Sequence, residues 1–165
     1  MSDVVTTLLR YKTWANKLTF ASLSELSEEE LLRPRKTNFT TMAGTINHVY
    51  VVDDIFRHHL TGQAHGYTSR NTAEIPALAD LWERQQEMDA WYEACAAAMP
   101  PETLTTSIDF LFVGGGEGRM SPLEIFLHVV NHGTYHRGFV SDMMYQVPVK
   151  PTPNDLPVFL RDQPA

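Results

Sequence analysis

Four long segments of the chain carry apolar residues at spacings of three and four, which is the pattern of an amphipathic α-helix. These helices are predicted at about residues 3–26, 40–62, 76–99 and 122–146. The last helix has the clearest start, because Ser121 can cap it and Glu124 completes a capping box. Four amphipathic helices of this length predict an all-α protein built as a four-helix bundle.

Two connections between the predicted helices are long. Residues 62–73 are polar and contain glycine, which predicts a loop. Residues 107–113 form a short apolar arm that a run of glycines follows, so we predict a small extended or hairpin insertion before the last helix. Either connection is long enough for a crossover, and residues 1–165 are predicted to form a single domain.

Composition narrows the class of protein. The chain has 165 residues, of which 43% are hydrophobic, and a formal net charge of −7. This acidic balance disfavours nucleic acid or an anionic membrane as the main partner. The single cysteine, Cys95, cannot form an intrachain disulfide, and its apolar surroundings indicate a buried, unreactive thiol. Without a signal peptide or an apolar run of roughly 18 residues, we expect a cytoplasmic protein.

Three histidines recur at intervals of four in the last helix: His128, His132 and His136. Residues four apart lie on one helix face, with Cβ atoms about 5–6 Å apart, so two such imidazoles can reach one metal ion. Burying bare imidazoles costs free energy unless their nitrogens are satisfied, which a shared cation would achieve. A stripe with the spacing of a buried face comprises Val129, His132, His136, Val140 and Met143.

His48 can supply a third ligand from across the bundle, because it belongs to the inner side of the second long helix. His128 is interpreted as a pocket residue or as a residue that contacts the ligands without binding the ion. The reason is that histidines on three successive turns of a straight helix do not all reach one ion. The remaining histidines are expected at the exposed end of the second long helix and in its loop. They are His58, His59 and His65.

Polar residues flank the predicted ligands. Tyr135 and Arg137 are interpreted as pocket residues, and Arg137 can hold a substrate carboxylate or form a surface salt bridge. The ligand nitrogens also need hydrogen-bond partners that fix their tautomers. The candidates for that role, although a solvated or capping role is favoured for each, are Asn47, Asn131, Asp53 and Asp54.

Several segments resemble the DinB family, a group of damage-inducible helical-bundle proteins distinct from the translesion polymerase of the same name. The most specific segment is residues 128–138, HVVNHGTYHRG. Residues 11–16 (YKTWAN), 45–49 (TINHV) and 152–156 (TPNDL) resemble the family's first-helix motif, its first ligand segment and its closing segment. One position departs from many relatives, since Phe139 stands where they carry glutamine.

The resemblance implies a four-helix bundle with a three-histidine site for one divalent transition metal ion, nickel or zinc among them. It also implies a homodimer, and a small-molecule substrate such as a low-molecular-weight thiol, because some members of the wider superfamily are thiol-dependent transferases or isomerases. The leading hypothesis is therefore a metal-dependent enzyme, a transferase or a hydrolase, with His48, His132 and His136 as ligands.

Two alternatives remain at this stage. In the first, the ion only holds two helices together in a non-catalytic, stress-related dimer. In the second, there is no metal, and the buried histidines act as a pH-sensitive packing element. Di-iron bundles and zinc proteases are disfavoured, because the chain contains neither a Glu-x-x-His nor a His-Glu-x-x-His motif.

Overall fold

Four long helices form the frame of the protein, and a two-stranded hairpin precedes the last of them. The computed structural model describes residues 2–163. In chain order, the elements are α1 (Ser2–Leu23), α2 (Glu28–Leu32), α3 (Met42–Thr61), α4 (Leu78–Ala98), α5 (Pro101–Leu104), β1 (Ile108–Leu111), β2 (Glu117–Met120), α6 (Pro122–Met144) and α7 (Leu156–Asp162). The predicted all-α bundle with a hairpin insertion is confirmed. The single-domain prediction extends to Met1, Pro164 and Ala165, which lie outside the described residues, and it stays a prediction.

The long helices occupy the corners of the bundle in an order that differs from their order along the chain. Helix α1 packs mainly against α4 and α6, and α3 packs mainly against the same two helices. Thus α1 and α3 stand at opposite corners, as do α4 and α6. The connections 24–41 and 99–121 therefore cross the bundle, whereas residues 62–77 join neighbours. No helix within residues 2–163 combines the length and apolarity that crossing a membrane requires.

Local hydrogen bonds fix the ends of the two helices that carry the predicted ligands. The Gly44 N–H donates to Thr41 Oγ1 at 2.9 Å, which caps the start of α3. Gly62 ends α3 in the left-handed region, with φ at 66°. The predicted capping box between Ser121 and Glu124 opens α6, with both reciprocal bonds present. Both helices therefore begin at defined residues, which sets the register of their inward faces.

A buried polar layer divides the apolar core into two clusters. On α1, Lys12 and Asn16 lie between the buried residues Leu9 and Phe20, which belong to different clusters. Arg137 occupies the corresponding place on α6. The buried layer comprises Lys12, Asn16, Asp53, Gln85, Asp89 and Arg137.

Three charges of this layer, those of Lys12, Asp53 and Asp89, are paired at the centre of the bundle. Lys12 Nζ lies 2.8 Å from Asp53 Oδ2 and 2.5 Å from Asp89 Oδ1. Burial opposes the charged form of Lys12, but the two carboxylates outweigh it and raise the pKa of the ammonium group. Gln85 donates to both carboxylates at 3.1 and 3.0 Å. The layer thus links α1, α3 and α4 through hydrogen bonds and ion pairs.

Candidate metal centre

Three histidines converge where α3 packs against α6. His48 comes from α3, and His132 and His136 come from successive turns of α6. One ring nitrogen from each lies within 4.8 Å of the others, and Nε2 of His48 is 3.2 Å from Nε2 of His132. Two nitrogens bound at zinc distances in a tetrahedral shell are about 3.4 Å apart. The His48–His132 pair therefore has the spacing of two ligands of one ion, and His136 lies close enough to be a third.

A backbone carbonyl orients the His48 ring. Nδ1 of His48 lies 2.7 Å from the carbonyl oxygen of Arg70. A carbonyl only accepts hydrogen bonds, so Nδ1 carries the proton and donates it, and Nε2 keeps its lone pair. This Nε2 is the atom that faces His132. A metal-binding histidine is commonly held in this way by a hydrogen bond to its other ring nitrogen.

The two histidines of α6 contain buried nitrogens without hydrogen-bond partners. Among residues 2–163, neither Nδ1 of His132 nor Nδ1 of His136 has such a partner. Most buried polar atoms are satisfied, so these two call for an explanation. An ion bound at Nδ1 of His136 would satisfy that atom, whereas an ion bound at Nε2 of His132 leaves Nδ1 of the same ring in need of a separate hydrogen-bond partner. The donor set of three imidazoles also suits zinc, nickel and similar ions.

The trio is uncharged at neutral pH. Burial, followed by the neighbouring His136 and His48, lowers the pKa of His132 to about 2. Burial and then His48 lower the pKa of His136 to about 4. The pKa of His48 is also lowered, chiefly by burial. Each ring is therefore neutral near pH 7, and neutral imidazole is the form that binds metal ions.

A cavity of about 630 Å³ opens over the trio. An apolar groove of about 650 Å³ beside Phe20 and Trp82 contains none of the three histidines, so the donor set rather than cavity size identifies the candidate site. The residues that line the cavity over the trio are Asn38, Phe39, His48, Ser69, Arg70, Asn71, His132, Tyr135 and His136.

Aromatic rings form one wall of this cavity. The Phe39 ring centroid is 4.9 Å from that of His48 and 4.5 Å from that of His136. The next residue, Thr40, has a φ of 58°, a left-handed backbone conformation that is uncommon for a threonine. Tyr135 packs edge-on against His136 at 5.1 Å, and Phe139 lies 5.7 Å from Phe39. The phenylalanine at position 139 therefore extends the apolar wall.

The three other predicted pocket residues, Tyr135, His128 and Arg137, lie in different places. Tyr135 lines the cavity, with 63% of its surface exposed. His128 packs against Phe56 at 4.6 Å and lines a separate cavity of about 710 Å³. Arg137 is 2% exposed and donates to Asn16 Oδ1 and Thr134 Oγ1, each at 3.0 Å. The arginine thus faces the interior of the bundle, where both of its terminal nitrogens are hydrogen-bonded and its Nε has no partner among residues 2–163.

The remaining histidines form a separate cluster that is half-buried rather than exposed. His59 stacks on Phe110 of β1 with centroids 4.4 Å apart, because the hairpin covers the end of α3. Its ring lies 5.4 Å from that of His65, and the rings of His65 and His58 are 6.4 Å apart. Within the described part of the chain, the group of three histidines close enough to share an ion is the trio and not this cluster.

The polar residues predicted to hydrogen-bond to the three histidines either have other partners or are exposed. Asn47 donates to Asn71 and Thr72 at 3.1 and 2.9 Å. Asp53 pairs with Lys12, and Asp54 accepts from Arg57 and Tyr67, while Asn131 is exposed. Sequence reasoning missed two contributors, the Arg70 carbonyl and Phe39. Every residue has a carbonyl, so no residue type could signal the first.

Comparisons with known proteins agree with the fold. The model of the DinB family matches residues 1–164. The chain is 27% identical over 169 residues to Protein DinB of Bacillus subtilis strain 168, covering 97% of this chain and 95% of that protein. A crystal structure of a DinB-like protein from Bacillus cereus ATCC 10987 superposes with a TM-score of 0.63 at 19% identity, covering 88% of this chain and 94% of that one. At this identity, the structural likeness bears on the fold alone.

Proposed function

The chain belongs to the DinB family, and from that premise we propose that His48, His132 and His136 together bind one divalent transition metal ion, zinc or nickel, in a metal-dependent enzyme. The observation that carries the proposal is the 3.2 Å separation of the Nε2 atoms of His48 and His132, with His136 in the same group. The neutral state of all three rings supports it, since metal binding then requires no proton to be removed.

The proposed reaction is a transfer or hydrolysis that acts on a small molecule, with a low-molecular-weight thiol as substrate or co-substrate. When bound, an ion with three imidazole ligands supplies an open coordination position that lowers the pKa of a water or thiol. The chain itself contributes orientation, because the Arg70 carbonyl holds His48 in one tautomer. Phe39 and Tyr135 pack against His136 and cover one side of the trio.

The alternative is a non-catalytic ion that only joins α3 and α6. A structural site is closed by protein ligands, whereas a catalytic site keeps an exchangeable position. The cavity of about 630 Å³ over the trio favours a catalytic site, because it leaves room for an exchangeable ligand. The homodimer and the cytoplasmic location stay predictions from the sequence.

Metal analysis of purified protein tests the proposal. We expect about one zinc or nickel ion per chain after dialysis against a weak chelator, and loss of that ion in His132→Asn and His136→Asn. His65→Asn is the matched control, since it removes a half-buried imidazole outside the trio. The proposal fails if wild-type protein takes up no ion in a calorimetric titration, or if His65→Asn loses metal as fully as the trio variants.

A further inference from the structure

The cavity over the trio is lined by a positively charged side chain and by no negatively charged one. Arg70 lines it, and neither aspartate nor glutamate does. Among residues 2–163, no carboxylate lies within ion-pair distance of the Arg70 guanidinium, whereas Arg57 pairs with Asp54 at 2.6 Å. The chain as a whole carries a net charge of −7. The cavity is therefore a local positive site on an acidic protein, and it attracts anions.

The backbone around Arg70 is anchored to the helix that bears His48. The Arg70 carbonyl accepts from His48 at 2.7 Å, and Asn47 donates to Asn71 and Thr72 just beyond it. On the other side, the Ser69 hydroxyl donates to the Asn71 carbonyl at 2.6 Å. The Arg70 backbone is thus tied to α3 through its own carbonyl and through Asn71 and Thr72, although the Arg70 side chain is exposed.

The lining chemistry suits a carboxylate. A guanidinium group presents paired N–H donors that match the two oxygens of a carboxylate. Asn38 also contributes to the lining, and Asn71 accepts from Asn47 through Oδ1, which leaves its own amide N–H groups to donate. Arg137, the arginine that the sequence offered for this role, is buried and already hydrogen-bonded. Among the residues that line the cavity, Arg70 is the one with a cationic side chain.

We infer that the cavity binds a small carboxylic acid whose carboxylate pairs with Arg70 while a second group, such as a thiol, reaches the ion held by His48, His132 and His136. The inference rests on the proposed function, because the second contact requires the ion. It defines the substrate class as an acidic thiol rather than a neutral one, and it assigns Arg70 to substrate binding.

Matched ligands separate the two contacts. The protein is loaded with Co²⁺, whose visible spectrum changes when a thiolate binds, and titrated with 3-mercaptopropionate or with 3-mercaptopropionamide. We expect wild-type protein to bind the acid about tenfold more tightly than the amide, as one charge-assisted pair allows. Arg70→Gln should abolish that preference, and Arg70→Lys should retain part of it. Arg84→Gln is the control, since it removes an exposed arginine outside the cavity.

The outcomes distinguish this inference from the proposal beneath it. If Co²⁺ binds and Arg70→Gln still prefers the acid, or binds acid and amide with wild-type affinities, the Arg70 assignment is wrong and the metal site stands. If neither thiol changes the Co²⁺ spectrum, the acidic-thiol ligand is wrong. If Co²⁺ does not bind at all, the proposed function and the inference fail together.

Discussion

Lys12 carries its charge at the centre of the bundle with none of its surface exposed. Its ammonium group lies between Asp53 and Asp89, and Gln85 and Asn16 donate to the same carboxylates. Taking charges out of water is expensive, and an ion pair compensates only while both partners are present. Removing this lysine alone should therefore cost about as much stability as truncating a large apolar core residue.

Lys12→Met should lower the free energy of unfolding by about 3–5 kcal/mol, because it leaves two buried carboxylates without their cation. Urea denaturation followed by circular dichroism measures the change. Lys17→Met is the control on the same helix, and since Lys17 is exposed it should change stability by about 0.5 kcal/mol or less. Equal costs for the two variants would show that the buried ion pairs contribute nothing to stability.

Residue-level prediction worked where helix geometry dictates position. His132 and His136 share a face because they are four apart, and the structure brings them together with His48. Prediction failed where the partner came from a distant connection or from the backbone. The sequence predicts Arg137 to be a pocket residue, but its guanidinium donates a hydrogen bond to Asn16, which lies 121 residues away in the chain. No local pattern encodes such a contact.

At the level of elements, α6 contains two glycines in different surroundings. A Cβ at Gly133 would lie 3.1 Å from Arg137 Nη1 and 3.7 Å from Lys12 Cε, whereas one at Gly138 would meet nothing within 4 Å. Arg137 has little freedom to move aside, because Asn16 and Thr134 hold it. The same substitution should therefore have opposite effects at the two positions.

Gly138→Ala should stabilise the protein by about 0.5–1 kcal/mol, which is the difference in helix propensity. Gly133→Ala should be destabilising, because displacing the Arg137 side chain costs more than the gain in propensity. Thermal unfolding of the pair, side by side, measures both shifts. A rise in melting temperature for Gly133→Ala that equals the rise for Gly138→Ala would mean that the buried layer adapts freely.

Element boundaries followed the sequence where a side chain caps the helix. Ser121 and Glu124 open α6, Thr41 opens α3 and Gly62 ends α3, as the residue types predict. Helix α1 ends at Leu23 rather than near Leu26. The corners that the helices occupy were not predictable, because the choice between neighbours depends on packing between faces and not on the spacing within one face.

At the scale of the whole molecule, the trio joins distant parts of the chain. His48 and His132 are 84 residues apart, whereas His132 and His136 are neighbours on one helix. Of the trio, only the neighbouring pair His132 and His136 can bind an ion in an unfolded chain without a long loop being closed. The complete group of three histidines exists only after α3 and α6 have docked. An ion that binds the native state alone stabilises it by mass action, by about 2.7 kcal/mol at a hundredfold excess over its Kd.

Zinc should act mainly on the unfolding rate, because a site completed by long-range docking is expected to form after the folding transition state. Stopped-flow unfolding in urea should slow as zinc is raised, with little change in the refolding rate. His48→Asn keeps the local pair and removes the long-range ligand, so its unfolding rate should be insensitive to zinc. Faster refolding of wild-type protein with zinc would instead place the site in the folding nucleus.

The anchoring of His48 by the Arg70 carbonyl has a consequence for protein engineering. Copying the three histidines onto the matching positions of another helical bundle would reproduce the proposed ligands and omit the group that selects the tautomer of one of them. The transplanted ring would be free to rotate and to present either nitrogen. A faithful graft therefore needs the connection around residues 69–72 as well as Asn47, which ties that connection down.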